Sequence, residues 1–266
     1  MSRKKVAVVT GGSSGIGAAA SIALLKSGCK VYELSRHDRG KSPDIGHISC
    51  DVTDISQVKA AISEVMDAEG QIDILINNAG FGISGAIEFT EPEAAKKQFE
   101  VNFFGMDNVC HAVLPIMRRQ GSGRIVNISS VAAPIAIPFQ AYYSASKAAI
   151  SDYSLALMNE VRPYGVEVVT LLPGDIHTGF TAAREKSPAG DKEYGGRISR
   201  SVAVMEHDEE TGMSAQSAGD LVAKYALKRH PAPVYTIGTS YKLFVFLQRF
   251  LSNRLLYYIV GKLYAK

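Results

Sequence analysis

Residues 141–150 read AYYSASKAAI. A phenol and an amine this close could move a proton together, provided that they share one helix face. Each helical residue turns about 100° around the axis. Tyr142 and Lys147 are five steps apart, or about 140° around the helix. Tyr143 and Lys147 are four apart, about 40°, so one side chain stands above the other. Taken alone, a tyrosine and a lysine at this spacing are commonplace on exposed helices. A free tyrosine, with a pKa of about 10, is a poor base near neutrality; a neighbouring ammonium stabilises the phenolate and lowers that value. Tyr143 could then give a proton to a carbonyl oxygen or take one from an alcohol.

A second group with chemistry stands near the start, in VVTGGSSGIG. Gly11, Gly15 and Gly17 are spaced Gly-x-x-x-Gly-x-Gly, with Ser13, Ser14 and Ile16 between them. No Lys-Ser/Thr pair follows, so this is not a nucleotide P-loop, and the spacing also differs from G-x-G-x-x-G. The physics is shared, however. A strand ends, the backbone turns tightly, and a diphosphate can approach the free N–H groups of a helix N-terminus. The second strand should end beside an adenosine ribose, where an acid would hold the 2′-hydroxyl of NAD. Ser35-Arg36 stands there instead. A guanidinium with a serine donor suits a 2′-phosphate, which favours NADP over NAD; otherwise Arg36 is a solvated loop charge.

These residues need a scaffold that alternates strands and helices. Residues 5–10, 30–35, 47–50, 73–77, 123–129, 166–173 and 233–238 read as strands. Residues 16–28, 55–70, 91–121, 141–165 and 215–229 read as helices, with Pro92 in a first turn and Gly28 and Gly121 as stops. Strands that are hydrophobic throughout and alternate with helices predict a parallel sheet covered on both faces. The expectation is a single-domain, Rossmann-like α/β fold, doubly wound, spanning residues 1–240. Residues 178–214 break the pattern and read as an irregular substrate lid. The N-terminal MSRKKVAVV has too short an apolar run for a signal peptide and reads as a strand.

Composition narrows the function. With 46% hydrophobic and 21% charged residues the chain is ordinary globular protein, and a net charge of +3 gives no reason to expect a nucleic-acid partner. Three cysteines at wide spacing suggest neither disulfides nor a zinc site, and a reducing, cytoplasmic location fits best. The histidines show no metal-ligand spacing; His37, His47 and His111 read as surface or satisfied residues. Residues 241–266 carry five basic residues (Lys242, Arg249, Arg254, Lys262, Lys266) and no acid among apolar and aromatic ones. No run there could span a bilayer. They read as two short helices split at Ser252-Asn253. These either pack on the core or a second subunit, or contact a membrane peripherally.

In its motifs the chain resembles the short-chain dehydrogenase/reductase family, closest in character to members acting on hydroxysteroids, retinoids and lipids. The resemblance rests on Thr10-Gly11-x-x-x-Gly15-x-Gly17, Asn77-Asn78-Ala79-Gly80, Asn102 in VNFFG, Ser130 in NISS, Tyr143-x-x-x-Lys147, and Pro173-Gly174 with Thr178. The motifs occur in family order over roughly residues 5–240. The resemblance implies a serine thirteen residues before the tyrosine, which selects Ser130 and Tyr143 and leaves Ser129 and Tyr142 without a role. It also implies that Lys147 holds the nicotinamide ribose, that Ser130 stabilises the substrate oxygen, and that Asn102 orders a water leading to Lys147. By position it assigns Asp51 and Val52 to the adenine, and Asn78, Ala79 and Gly80 to the riboses. Pro173, Gly174, Ile176 and Thr178 fall to the nicotinamide and nearby phosphate. Homodimers or homotetramers through the helices at 91–121 and 141–165 are implied as well.

Candidate walls for the substrate are Phe81, Ile83, Ile135, Ile137, Phe139, Gln140 and Phe180. Most are apolar, so the expectation is a hydrophobic ketone or alcohol, steroid- or lipid-like. Two rivals stand beside it: a 3-oxoacyl thioester reductase, which shares every motif, and an NADP-holding redox sensor without turnover.

Overall fold

The computed structural model describes residues 3–38 and 42–265; Lys266 of the basic tail lies outside the described residues. The strands are β1 (Val6–Thr10), β2 (Lys30–Ser35), β3 (Ile45–Ser49), β4 (Ile74–Asn77), β5 (Ile83–Ser84), β6 (Gly123–Ile128), β7 (Val166–Pro173), β8 (Ile176–His177), β9 (Glu185–Lys186), β10 (Met213–Ser214) and β11 (Val234–Ile237). Seven of them form one parallel sheet in the order β11-β7-β6-β4-β1-β2-β3. Every residue of β1 is buried. Side chains alternate across a strand, so Val6 and Val8 face one core while Ala7 and Val9 face another. That is why the run is apolar without a break.

Helices α2 (Ile55–Glu69), α4 (Gly105–Gln120) and α5 (Ala141–Val161) cover the first face, and α1 (Gly15–Lys26) and α8 (Ala215–Leu227) the second. Local signals set their ends. The Asp54 carboxylate accepts from the Ser56 and Gln57 N–H groups and starts α2, and Gly70 and Gly121 end α2 and α4 in the left-handed conformation. The stretch predicted as one helix over 91–121 is interrupted. It runs as α3 (Pro92–Phe99), a π-helical turn over Glu100–Phe104, and then α4. Widened turns of this kind cluster at functional sites.

Residues 178–214, expected as irregular, are largely ordered. They contain α6 (Phe180–Ala183), β9, α7 (Arg197–Glu210) and β10. β9 pairs with β5, and β10 with β8, so two short parallel pairs pin this segment beside the sheet's carboxyl edge. The chain closes with α9 (Thr239–Leu247) and α10 (Asn253–Tyr264), the latter capped by the Ser252 hydroxyl. Their inner side chains Val245, Leu256 and Val260 cluster with Ile135.

Candidate active site

The chain leaves β1 toward β2 and β3 on one side, and resumes with β4 on the other. The strand order therefore reverses between β1 and β4, where open α/β sheets bind ligands at their carboxyl ends. The two strand ends are stitched together there. The Thr10 hydroxyl accepts from the Asn78 and Ala79 N–H groups at 3.0 and 3.1 Å, and the Asn78 amide donates to the Thr10 and Gly11 carbonyls. A cleft of about 530 Å³ opens above them and runs from the glycine loop to Ser130, Tyr143 and Lys147.

At one end, Gly15 holds φ +52°, a conformation other residues rarely adopt, and it faces Thr178 across the loop. A Cβ at Gly17 would overlap the Gly11 carbonyl oxygen and the Asn78 amide, so the first turn of α1 can seat against the loop only as glycine. Ser13, Ser14 and Ile16 line the cleft beside them. So do Ser35, Arg36, Asp51, Val52, Ala79, Gly80, Gly174 and Ile176. Pro173 does not; it is the buried last residue of β7.

Ser35 differs from the expectation of a free phosphate donor. Its hydroxyl donates to the buried Glu33 carboxylate at 3.2 Å and to the His37 carbonyl at 3.1 Å. His47 is bonded to the same carboxylate, so it is a partner of a buried acid and not a plain surface residue. Glu33, Asp38 and His47 each offer a ligand atom within 4.8 Å of the others, a spacing that could hold a metal ion. Arg36 is exposed and lines the cleft, which leaves it as the cationic candidate beside the ribose end.

At the other end, β6 delivers Ser130 and α5 delivers Tyr143 and Lys147. The Ser130 oxygen accepts from the Ala132 N–H at 3.1 Å, and its side chain is hydrogen-bonded with Tyr143. Lys147 lies over the Tyr143 ring, 5.8 Å from its centroid, and donates to the Ile128 carbonyl at 2.8 Å. Ser129 anchors the same helix instead, donating to the Lys147 carbonyl at 2.7 Å. Asn102 does not line the cleft. Buried on the π-helical turn, it bonds both backbone groups of Phe81 and donates to the Ser146 hydroxyl at 3.2 Å. A Cβ added to Gly80 would stand 3.1 Å from Asn102 Oδ1 and 3.7 Å from Lys147 Nζ, so the three meet at one point.

Electrostatics correct the expectation of a lowered tyrosine. Burial pushes the Tyr143 phenol up to about 12, against the opposing pull of the Ser130 hydrogen bond, with the Glu209 and Asp175 charges adding to the rise. Burial also brings the Lys147 amine down to about 8. Burial dominates, so Tyr143 is a protonated acid at neutral pH.

The substrate end is walled by Phe81, Ile137, Gln140 and Phe180, whose ring lies 5.7 Å from that of Tyr143. Phe139, Ile83 and Ile135 are elsewhere. Phe139 takes φ +59° and packs edge-on against Tyr194, Ile83 is buried in β5, and Ile135 lies under the tail helices. Three charged residues escaped the sequence reading. Arg184, its side chain fully buried, is ion-paired with Glu209 and lies against the Phe180 ring. With its amide oxygen turned toward Arg184, Gln140 accepts from Nε and Nη2 at 3.0 and 3.2 Å. Asp175 lines the cleft and accepts from the Tyr241 hydroxyl; burial, then Asp208 and Glu209, push its carboxyl up to about 7. Its place between Gly174 and Ile176 was a usable signal. Nothing local marks Arg184 or Glu209.

The family profile described as short chain dehydrogenase matches residues 5–189. The chain belongs to the short-chain dehydrogenases. Relatives of this short-chain dehydrogenase include a 3-ketodihydrosphingosine reductase of Bacteroides thetaiotaomicron, 35% identical over 264 residues and covering 98% of each chain. Among solved structures, a short-chain dehydrogenase from Streptomyces avermitilis superposes with a TM-score of 0.82 at 28% identity, covering 94% of this chain and 93% of that one. Another, from Burkholderia cenocepacia in complex with NADP, has a TM-score of 0.77 at 28% identity and covers 99% of both. As a short-chain dehydrogenase the chain is an oxidoreductase that uses a nicotinamide dinucleotide. The glycine loop seated at the α1 N-terminus and the unbroken cleft toward Tyr143 fit such a group.

Proposed function

We propose that this short-chain dehydrogenase interconverts a ketone and a secondary alcohol on a hydrophobic, lipid-like substrate, with NADP as its dinucleotide. The observation that carries the reading is the apolar wall of Phe81, Ile137 and Phe180 around the Ser130–Tyr143 pair. The Bacteroides relative, a 3-ketodihydrosphingosine reductase, favours a lipid ketone over a steroid. The exposed guanidinium of Arg36 at the ribose end favours the 2′-phosphate.

In this reading the bound dinucleotide supplies the hydride for reduction. Ser130, oriented by the Ala132 N–H that its oxygen accepts, turns its proton from Tyr143 to the ketone oxygen. Tyr143 Oη, protonated at neutral pH, gives that oxygen its proton. Lys147 would hold the ribose, and its ammonium, placed over the Tyr143 ring, stabilises the phenolate left behind. Asn102 fixes Phe81 and the adjoining Gly80 turn against α5.

The reading extends to assembly and location. Exposed Phe104 and Leu155, beside and on the two long helices, would join copies into a homodimer or homotetramer, which sedimentation checks. Three free, buried cysteines suit the cytoplasm. Among the described residues no helix is long and apolar enough to cross a membrane.

The test is a panel of ketones followed by nicotinamide absorbance with NADPH and NADH: a long-chain keto-lipid, a steroid ketone and a small polar ketone. The keto-lipid with NADPH should give the highest kcat/KM. Preference for the small polar ketone would overturn the substrate reading, and equal use of NADH the cofactor reading.

A further inference from the structure

The C-terminal helices carry more exposed apolar surface than their size warrants. Eight of the fifteen large hydrophobic residues exposed among the described residues lie in α9, α10 and the turn between them. Leu243, Phe246 and Phe250 follow one another at three- and four-residue spacing along the outer side, and Leu255 and Tyr258 continue the pattern on α10. Phe250 is 73% exposed and Tyr258 63%. Contiguous apolar surface of this kind marks an interaction site.

Charge says what covers it. Lys242, Arg249, Arg254 and Lys262 are all exposed and interleave with these rings. Residues 241–266 hold five basic residues and no acid; subtracting that +5 from the chain's net +3 leaves −2 for everything else. A second copy packed on this face about a twofold axis would set like charges against like. An anionic surface would attract this face and repel the remainder, which also orients the molecule. Basic residues beside aromatic ones on a short amphipathic helix suit an interfacial position, with the rings among the lipid headgroups.

The same helices are fastened to the substrate end of the cleft. Tyr241 of α9 donates to Asp175, a cleft-lining residue. Tyr264 of α10 donates to Asp208 at 3.3 Å, and Arg197 donates to the Ala265 carbonyl at 2.8 Å, so α7 is tied to the tail twice. We propose that the outer face of α9 and α10 docks on an anionic lipid bilayer, setting the substrate end of the cleft at the membrane surface. The docking stands on the face itself; its use for substrate delivery rests on the lipid-ketone reading above.

The experiment mixes the full chain with sedimenting vesicles of phosphatidylcholine, with or without phosphatidylglycerol. Binding to the anionic vesicles should be at least tenfold tighter and should weaken as salt rises. Two double variants, Phe246→Ser/Phe250→Ser and Arg249→Glu/Arg254→Glu, alter exposed side chains and should melt as the parent does. Each should lose at least tenfold in vesicle affinity. Absence of binding by the parent, or equal binding by both variants, would overturn the proposal. So would variants that only dissociate an oligomer, which would assign the face to a second copy. The two readings fail separately. Vesicle binding without turnover of any ketone sinks the lipid-ketone reading alone, and keto-lipid turnover without vesicle binding sinks the docking alone.

Discussion

Asn102 grips both backbone groups of Phe81: its Oδ1 accepts from the Phe81 N–H at 3.0 Å, and its Nδ2 donates to the Phe81 carbonyl at 3.0 Å. One side chain on the π-helical turn thereby fixes the loop after β4, whose residues line both the cofactor and the substrate parts of the cleft. Asn102→Ala deletes both bonds and strands the Phe81 N–H, while the Phe81 carbonyl keeps its bond from the Gln98 amide. Stability should fall by about 2 kcal/mol, and kcat by at least about tenfold, because the loop no longer holds its place. Calorimetry and steady-state kinetics check this, and an unchanged melting temperature would show that Phe81 finds other partners.

Tyr143→Phe keeps the ring against Phe180 and removes only the hydroxyl. Turnover should drop by about 10²–10⁴, while dinucleotide affinity measured by fluorescence titration stays within a few fold. In the parent, reductive turnover should decline above about pH 8, where Lys147 loses its proton. A rate that rises steadily through that region would contradict the role given to the ammonium.

Much of this site is legible in the residues alone, and the reasons are physical. β1 reads as a buried strand because its first four residues are apolar on both faces, and the four-step spacing of Tyr143 and Lys147 survives in α5. The glycine loop is visible because so few backbones reach an α1 N-terminus without a Cβ in the way. What stays hidden depends on partners distant in sequence. The order in residues 178–214 comes from pairing Glu185–Lys186 with Ile83–Ser84, about a hundred residues away, which no local periodicity encodes. The π-helical turn carries the same apolar pattern as an α-helix, so Glu100–Phe104 looks continuous with its neighbours. Burial of Arg184 likewise needs Glu209 and Gln140 brought together from two other elements.

Arg36→Ala removes the exposed cation at the ribose end of the cleft. Because Ser35 already donates to Glu33 and His37, it cannot take over a phosphate without giving up a bond. KM for NADPH should rise at least about tenfold and that for NADH should change little. Parallel titrations with the two dinucleotides decide it; an equal loss with both would place Arg36 in general backbone support and remove it from 2′-phosphate recognition.

Asp175 gives stability a distinctive pH dependence. Its carboxyl is raised from an ordinary value of 3.8 to about 7 in the fold, first by burial and then by Asp208 and Glu209. Between those values the folded chain holds a proton that the unfolded chain has lost, so this group makes stability fall as pH rises through that window. Above about pH 7 the full cost of a buried charge is present, on the order of 2–4 kcal/mol. Asp175→Asn cannot ionise yet still accepts from Tyr241. It should therefore be more stable than the parent at about pH 8 and no more stable at about pH 4, where both side chains are neutral. Urea melts at the two pH values measure the difference. A gain of equal size at both would mean that the substitution acts through packing, and that the carboxyl is not held protonated by its surroundings.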